Sequence, residues 1–403
     1  MVAGIVGVLV AQGNNKTGTA TAKRPGHGDQ GGKAGLTTTT TRAPPPPAVK
    51  VRLLAWRLPV AVSRAVVLAG PGANLIVAGG LTRSGASGNG AFLLSTRSGV
   101  VQLVADLPVA VHDASGAILA GRDVIFGGDG TAATAMVQAF AAPAGAPVTA
   151  ASVRTATATA ALPQPRTGSG AVTVGTTSYV VGGSDGTAAD RDVLATTDGK
   201  TFLAVAALAV PVEYPAVAAV GGYIFVFGGA TVGGHPAVGA PGGAVETGAT
   251  AQAGAAVDDI QRIDRRTGRA TIVGHLPAAL QGASAATLDG NIYLAGGRTA
   301  SSVQGTIWAF EPASATVVVA GHLRLPVSNS GLAVIGSTAW LVGGQSGGRP
   351  VASVQTFGPV AAGTAPTGTG LARLGRARPS RAQPGGPSTT SGAKSTPSAG
   401  ATT

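Results

Sequence analysis

The chain has 403 residues, with 28 lysines and arginines against 16 acids, a net charge of +12 and no cysteine. The missing thiol excludes a disulfide framework, a thiolate nucleophile and a cysteine-held metal. The charge sits at the ends: residues 1–50 and 361–403 hold +10 of the +12, and the middle has 17 bases against 15 acids, which argues against the broad basic face that specific nucleic-acid binding needs.

Residues 1–15 open on an apolar run, Val2 to Ala11, with the length of a signal-peptide core but without the basic residues that precede one. The run is too short to span a bilayer. The expectation is a truncated signal or anchor segment, and with it an extracytoplasmic protein, secreted or membrane-anchored, associated with membrane or cell wall through this end. Residues 16–47, "KTGTATAKRPGHGDQGGKAGLTTTTTRAPPPP", hold too few apolar side chains to offset the entropy of ordering, so a disordered Thr/Pro-rich linker is expected.

From residue 48 to 360 the pattern changes to short apolar strands separated by Gly, Asn and Asp. The segment "VKVRLLAW", residues 49–56, comes first and stands outside any repeat. The first unit then reads "AVVLAG", "NLIVAGG", the loop "LTRSGASGNG", "AFLLS", the turn "TRSG" and "VVQLVA". An apolar run ending in Gly-Gly recurs at Gly79 and Gly80, Gly127 and Gly128, Gly182 and Gly183, Gly228 and Gly229, Gly296 and Gly297, and Gly343 and Gly344. Successive spacings are 48, 55, 46, 68 and 47 residues. A second marker precedes each pair: Leu58-Pro59, Leu107-Pro108, Leu162-Pro163, Pro211, Leu276-Pro277 and Leu325-Pro326. Two markers in common phase at a period of about fifty residues mean a repeat array.

Four short antiparallel strands repeated six times predict an all-β fold, a six-bladed β-propeller. In that setting the glycine pairs are structural: they let the second strand end in a conformation closed to other residues and approach the next sheet. A phosphate loop is excluded, because no helix pattern and no Gly-Lys-Ser/Thr follows any pair. The sixth unit supplies "GLAVI", "AWLVGG" and "VASVQTF" and then enters the basic Gly/Ser/Thr/Pro-rich tail, 361–403, expected to be disordered. Its missing fourth strand is assigned to residues 49–56, which would close the ring and hide a sheet edge.

With both markers in place, the repeats resemble kelch motifs, and residues 48–360 are similar to a six-bladed bacterial kelch-repeat protein of the galactose-oxidase-type propeller superfamily. The chain departs from that pattern after the third strand, where the usual Tyr-Asp and fourth-strand Trp are largely missing; Phe202 in "TTDGKTF" and Trp308 in "IWAFEPASATV" are partial matches. The superfamily's copper radical oxidases need a Cys cross-linked to Tyr, which this chain cannot supply.

The strand order implied by the resemblance brings the blade-to-blade loops and the loops joining strands two and three onto one face. Residues about five places after each Leu of the marker then ring the channel: Ser63 and Arg64, His112 and Asp113, Arg166 and Thr167, Glu213 and Tyr214, Gln281, and Asn329 with Ser330. Converging polar groups at the mouth of a closed β-structure suit recognition of a sugar or peptide; blade-crossing loops also need polar residues simply to satisfy their backbone. The longest spacing contains residues 230–256, expected to be a disordered Ala/Gly insertion rather than a lid, with His235 and Glu246 as its polar landmarks.

Other constellations carry less. His112 and Asp113 are adjacent, so on a strand they point apart. His275 and His322 occupy equivalent outer-strand places, where a metal shared between them is not expected. "TTDGKTF" is similar to a sialidase-type Asp box one residue short, a turn remote from catalysis. The expectation is a monomeric, non-enzymatic binding module for a protein or glycan, with no metal and no cofactor. The alternative is a carbohydrate-active enzyme such as a sugar-acid epimerase, with Arg166 as carboxylate clamp and Glu213 as acid/base; a purely structural spacer is a third class.

Overall fold

Each repeat folds because its apolar residues come in runs of about five, long enough for one short strand and too short for a helix. The computed structural model describes residues 48–143, 153–231 and 254–360, all within the second of two units into which the chain divides, Met1–Pro45 and Pro46–Thr403. The apolar N-terminal run, the Thr/Pro-rich linker, the C-terminal tail and most of the Ala/Gly insertion lie outside the described residues. Among those described, no helix is long and apolar enough to cross a membrane.

Six sheets form the blades, antiparallel except that the two-residue strand Arg154–Thr155 adds in parallel to the outer edge of blade 1. From the innermost strand outward, blade 1 is Val66–Ala69, Leu75–Ala78, Gly88–Leu94 and Val101–Val111. Blade 2 is Ser115–Leu119, Arg122–Phe126, Met136–Phe140 and Thr157–Ala161. Blade 3 is Gly170–Val174, Thr177–Val181, Asp192–Thr196 and Leu203–Ala207. Blade 4 is Ala216–Val220, Tyr223–Phe227, Asp259–Asp264 and Ala270–His275. Blade 5 is Ser284–Leu288, Asn291–Ala295, Thr306–Glu311 and Thr316–His322. Blade 6 takes Gly331–Ile335, Thr338–Val342 and Val354–Pro359 from its own repeat, and Val49–Leu53 from the start of the propeller. That last pairing runs in register from Val49 with Pro359 to Leu53 with Gln355, as the strand count requires. The innermost strands touch in sequence around the full circle, blade 6 against blade 1 included, so the ring is closed.

Apolar side chains fill the spaces between blades. Second strands such as Leu75–Ala78 and Tyr223–Phe227 are buried almost throughout, and Phe225 and Phe227 of blade 4 each meet Phe310 of blade 5 edge to face with centroids 5.1 Å apart. The glycine pairs join each blade to the next. Both glycines of every pair take positive φ. A Cβ on the first would overlap a carbonyl of the following blade crossing, at Val111, Arg166, Val212, Leu280, Val327 or Val62 in turn. The second glycine's N–H donates to that same carbonyl at 2.8–2.9 Å. Any side chain here therefore removes a blade-to-blade hydrogen bond as well as straining the backbone.

The structure also corrects the phase of the second marker. The crossings superimpose on buried leucines, Leu58, Leu107, Leu162, Leu208, Leu276 and Leu323. Leu208 and Leu323 therefore take the places that Pro211 and Leu325-Pro326 were expected to mark. In those two crossings the proline stands three residues after the leucine instead of one.

Once the phase is right, a two-blade periodicity appears. The third-strand residue that follows the one paired beside each glycine pair is, in order, Phe92, Gln138, Leu194, Gln261, Trp308 and Gln355. The three glutamines are fully buried and each clasps the backbone of the crossing that enters its blade. Gln138 Oε1 accepts the Val109 N–H at 2.9 Å. Gln261 bonds both groups of Val210, at 3.0 and 2.9 Å, and Gln355 both groups of Leu325, at 3.0 and 2.8 Å. The propeller is thus three blade pairs, each pinned by one buried glutamine whose amide replaces water on a backbone segment unable to reach a ladder.

Candidate functional site at the channel mouth

The residue five places after each marker leucine is Ser63, His112, Thr167, Glu213, Gln281 or Ser328. Each pairs with the residue that follows a glycine pair: Ser63 with Leu81, His112 with Asp129, Thr167 with Ser184, Glu213 with Ala230, Gln281 with Arg298 and Ser328 with Gln345. This tucks the layer beneath the loops that join strands two and three. Ser63, His112 and Glu213 are each 1 % exposed.

The next residue of each crossing is Arg64, Asp113, Gly168, Tyr214, Gly282 or Asn329, and all six take a left-handed conformation with φ between 50° and 63°. Each N–H donates to the carbonyl of its predecessor around the axis, Arg64 to Asn329 completing the circle, at 2.7–3.0 Å. A closed girdle of six backbone hydrogen bonds therefore encircles the channel mouth. It explains how Arg64 and Tyr214 hold a conformation that costs a side-chain-bearing residue about 1–2 kcal/mol.

The girdle follows the blade pairs. Asp113, Tyr214 and Asn329 stand where a crossing enters blades 2, 4 and 6, while Gly168 and Gly282 stand where one enters blades 3 and 5. The Tyr214 ring lies over Gly168 and the Asn329 amide over Gly282, in space a Cβ would take. Arg64 breaks the pattern: in place of a glycine it offers Nη1 to Asp113 Oδ2 at 2.8 Å, and its guanidinium sits 5.7 Å from the Tyr214 ring centroid. The Tyr214 hydroxyl donates to the same Asp113 oxygen at 3.2 Å. His112 approaches Ser87 Oγ through Nδ1 at 2.9 Å and Asp113 through Nε2 at 3.7 Å. Just inside, a cavity of about 130 Å³ is lined by Arg64, Asp113, Ser169, Tyr214, Asn329 and Ser330.

Electrostatics follow from this crowding. Burial pushes the Glu213 carboxyl up to about 7, helped by the negative charge of Asp113 and opposed by Arg64. Burial, then Asp113, also raises the Tyr214 hydroxyl, so it stays protonated and donates. The mouth is a packed polar cluster in which one guanidinium serves two carboxyl groups.

The structure brings together Ser63, Arg64, His112, Asp113, Glu213, Tyr214, Gln281 and Asn329 in these two layers. Arg166 lies in neither. It occupies the place that is Val62, Val111, Val212, Leu280 and Val327 in the other crossings, 2 % exposed between blades 2 and 3. Its Nη1 donates to the carbonyls of Gly182 and Asp192 at 3.0 and 2.8 Å, and Nε lies 3.2 Å from Asp190 Oδ2. Counting four residues from Leu162 would have placed it there. Five crossings use an aliphatic residue at this position, so Arg166→Leu fits the space. It strips Asp190 of its ion-pair partner and uncaps two carbonyls, however, and is expected to cost about 2–3 kcal/mol in urea. Arg166→Ala, which leaves a void, should cost about 2 kcal/mol more. Equal losses in the two variants would show that the ion pair and the two capped carbonyls are the arginine's whole contribution.

Two further expectations can be placed. "TTDGKTF" is a turn between the third and outermost strands of blade 3, where Asp198 accepts the N–H groups of Lys200 and Thr201 at 2.8 Å and those bonds hold its carboxyl at about 2. It lies at the strand ends opposite the glycine pairs. Of the Ala/Gly insertion, Thr231 donates its N–H to Ala255 at 3.1 Å, while His235 and Glu246 lie outside the described residues. No protein-family model matches the chain, and no curated protein matches it.

Proposed function

We propose that the protein is a non-enzymatic binding module, a kelch-like propeller that holds a protein or glycan partner on the face carrying the blade crossings, outside the cytoplasm of a bacterial cell. The observation that carries this reading is the division of labour on that face. At the axis the side chains of Arg64, Asp113 and Tyr214 are engaged with one another, while the loops above them differ from blade to blade in length and charge. Arg83, Asp185 and Arg349 are exposed on the loops of blades 1, 3 and 6. A rigid closed base carrying variable loops is how repeat scaffolds present recognition surfaces.

An epimerase would need Glu213 to reach substrate, and a carboxyl 1 % exposed beneath a loop is poorly placed for that. The N-terminal apolar run and the Thr/Pro-rich segment support the extracytoplasmic assignment through their composition. The test is capture by the full chain against cell-wall polysaccharide and membrane extract, beside the variant Arg83→Ala/Asp185→Ala/Arg349→Ala. The three side chains lie on loops outside the blade strands, so the propeller is expected to stay folded, and a ligand kept by the wild type and lost by the variant supports the loop face. A ligand retained equally by both sinks it. Changes at Arg166 or Glu213 would be poor controls, because both side chains are part of the packing.

A further inference from the structure

On the rim of blade 4, at the strand ends nearest the blade crossings, two carboxylates and an imidazole converge. Asp259 begins the third strand and stands directly opposite His275, the last residue of the outermost strand. Asp258 precedes the strand, its carbonyl accepting the Leu276 N–H at 2.7 Å, so it escapes the alternation that would turn its side chain to the other face. His275 Nδ1 lies 3.2 Å from Asp258 Oδ1 and 3.4 Å from Asp259 Oδ1.

Three features of this cluster go beyond an ordinary surface ion pair. The first is spacing. A tetrahedral ion bound at zinc-like lengths to nitrogen and oxygen separates its ligand atoms by roughly 3.3–3.5 Å. The imidazole nitrogen lies 3.4 Å from Asp259 and 3.2 Å from Asp258, the latter a hydrogen bond that an ion would replace, and the three ligand atoms all lie within 4.8 Å of one another. The second is charge. Among the described residues His275 is the only ion-pair partner of either carboxylate, so the cluster stays net negative in either protonation state of the ring. The third is that the fold does not ask for it. His322 ends the outermost strand of blade 5 in the same register, and there it faces Thr306, preceded by Gly305.

We propose that Asp258, Asp259 and His275 form a site for a divalent transition metal of the zinc class. One imidazole with two carboxylates is a donor set for such ions, whereas calcium and magnesium prefer oxygen alone. Three protein ligands leave the remaining coordination open, and the His275 and Asp258 side chains are 60 % and 48 % exposed, so the ion exchanges with solvent rather than holding the fold together.

Cobalt(II) titration of the full-length protein at neutral pH tests this through the visible absorption of the bound ion. One equivalent is expected to bind and to be displaced by zinc. His275→Ala, and separately Asp258→Asn/Asp259→Asn, should weaken binding at least tenfold with unchanged thermal melting, and His322→Ala should leave it unaltered. Absence of saturable absorption would overturn the proposal, as would binding that survives His275→Ala. Displacement by calcium as readily as by zinc would remove the imidazole from the coordination and overturn it equally.

Discussion

Removal of residues 1–53 is expected to destabilise the propeller by several kcal/mol, whereas removal of residues 1–47 should leave its melting unchanged. The strand Val49–Leu53 forms the outer ladder of blade 6, and Leu54 and Leu58 continue it by donating to the carbonyls of Val354 and Ala352 at 3.0 and 2.9 Å. Val49 and Val51 pack against the core shared by blades 5 and 6, close to Gly321. Each ladder bond is worth about 1 kcal/mol net, and the half-buried valines add up to about 1 kcal/mol each. That loss is comparable with the whole stability of a typical domain, about 5–15 kcal/mol. It also bares the edge Val354–Pro359, which invites association between copies. Thermal melting and light scattering on the two truncations decide the matter. If the shorter chain melts with the longer one and scatters no more light, ring closure through the N-terminal strand contributes nothing.

That closure could be read from residues alone because it is arithmetic: a repeat one strand short at its end and a strand without a repeat at its start. The six blades were legible for the same reason, since a strand ending in Gly-Gly is imposed by sterics that no other residue satisfies. The phase of the crossings was less visible. Proline marks a chain that leaves a ladder, but the residue that sets position is the leucine buried between blades, and in two crossings the proline has drifted from it. Glu213, Tyr214 and Asn329 were found despite that drift, while Arg166, the larger charge, drew attention from the neutral Thr167 that shares the layer of Glu213.

The girdle was illegible for a different reason. Positive φ is announced by glycine, and only Gly168 and Gly282 announce it here. Asp113 and Asn329 tolerate the conformation, and Arg64 and Tyr214 are held in it by a hydrogen-bond circle that exists only once all six blades have closed. The alternation of buried glutamine with Phe92, Leu194 and Trp308 is present in the sequence, yet it becomes a pattern only after the third strands are aligned. The two-blade period is therefore a property of the assembled ring more than of any window along the chain.

Stability is expected to fall as pH rises from about 4.5 to 7, and Glu213→Gln should remove a large part of that slope. The folded chain raises the Glu213 carboxyl from its ordinary 4.5 to about 7. Between those values the native state keeps a proton that the unfolded chain releases, so the contribution is complete below the lower value and lost as pH passes the upper one. A shift of that size corresponds to at most about 3 kcal/mol. Asp123 and Asp190, also raised by burial, add slope of the same sign that the variant retains. Gln mimics the protonated carboxyl beside Asp113 and Arg64, so the variant should match wild type at acid pH and exceed it above neutrality. Urea midpoints across this range test the point, and parallel curves for the two proteins would refute it. Partner binding supplies the link to function. Because Glu213 is covered, its ionisation loosens the base beneath the loops without charging the exposed face, so affinity should stay level while stability declines. Affinity that fell with the same pH dependence would instead put the carboxyl in contact with the ligand, and the mouth, rather than the loops, would be where recognition occurs.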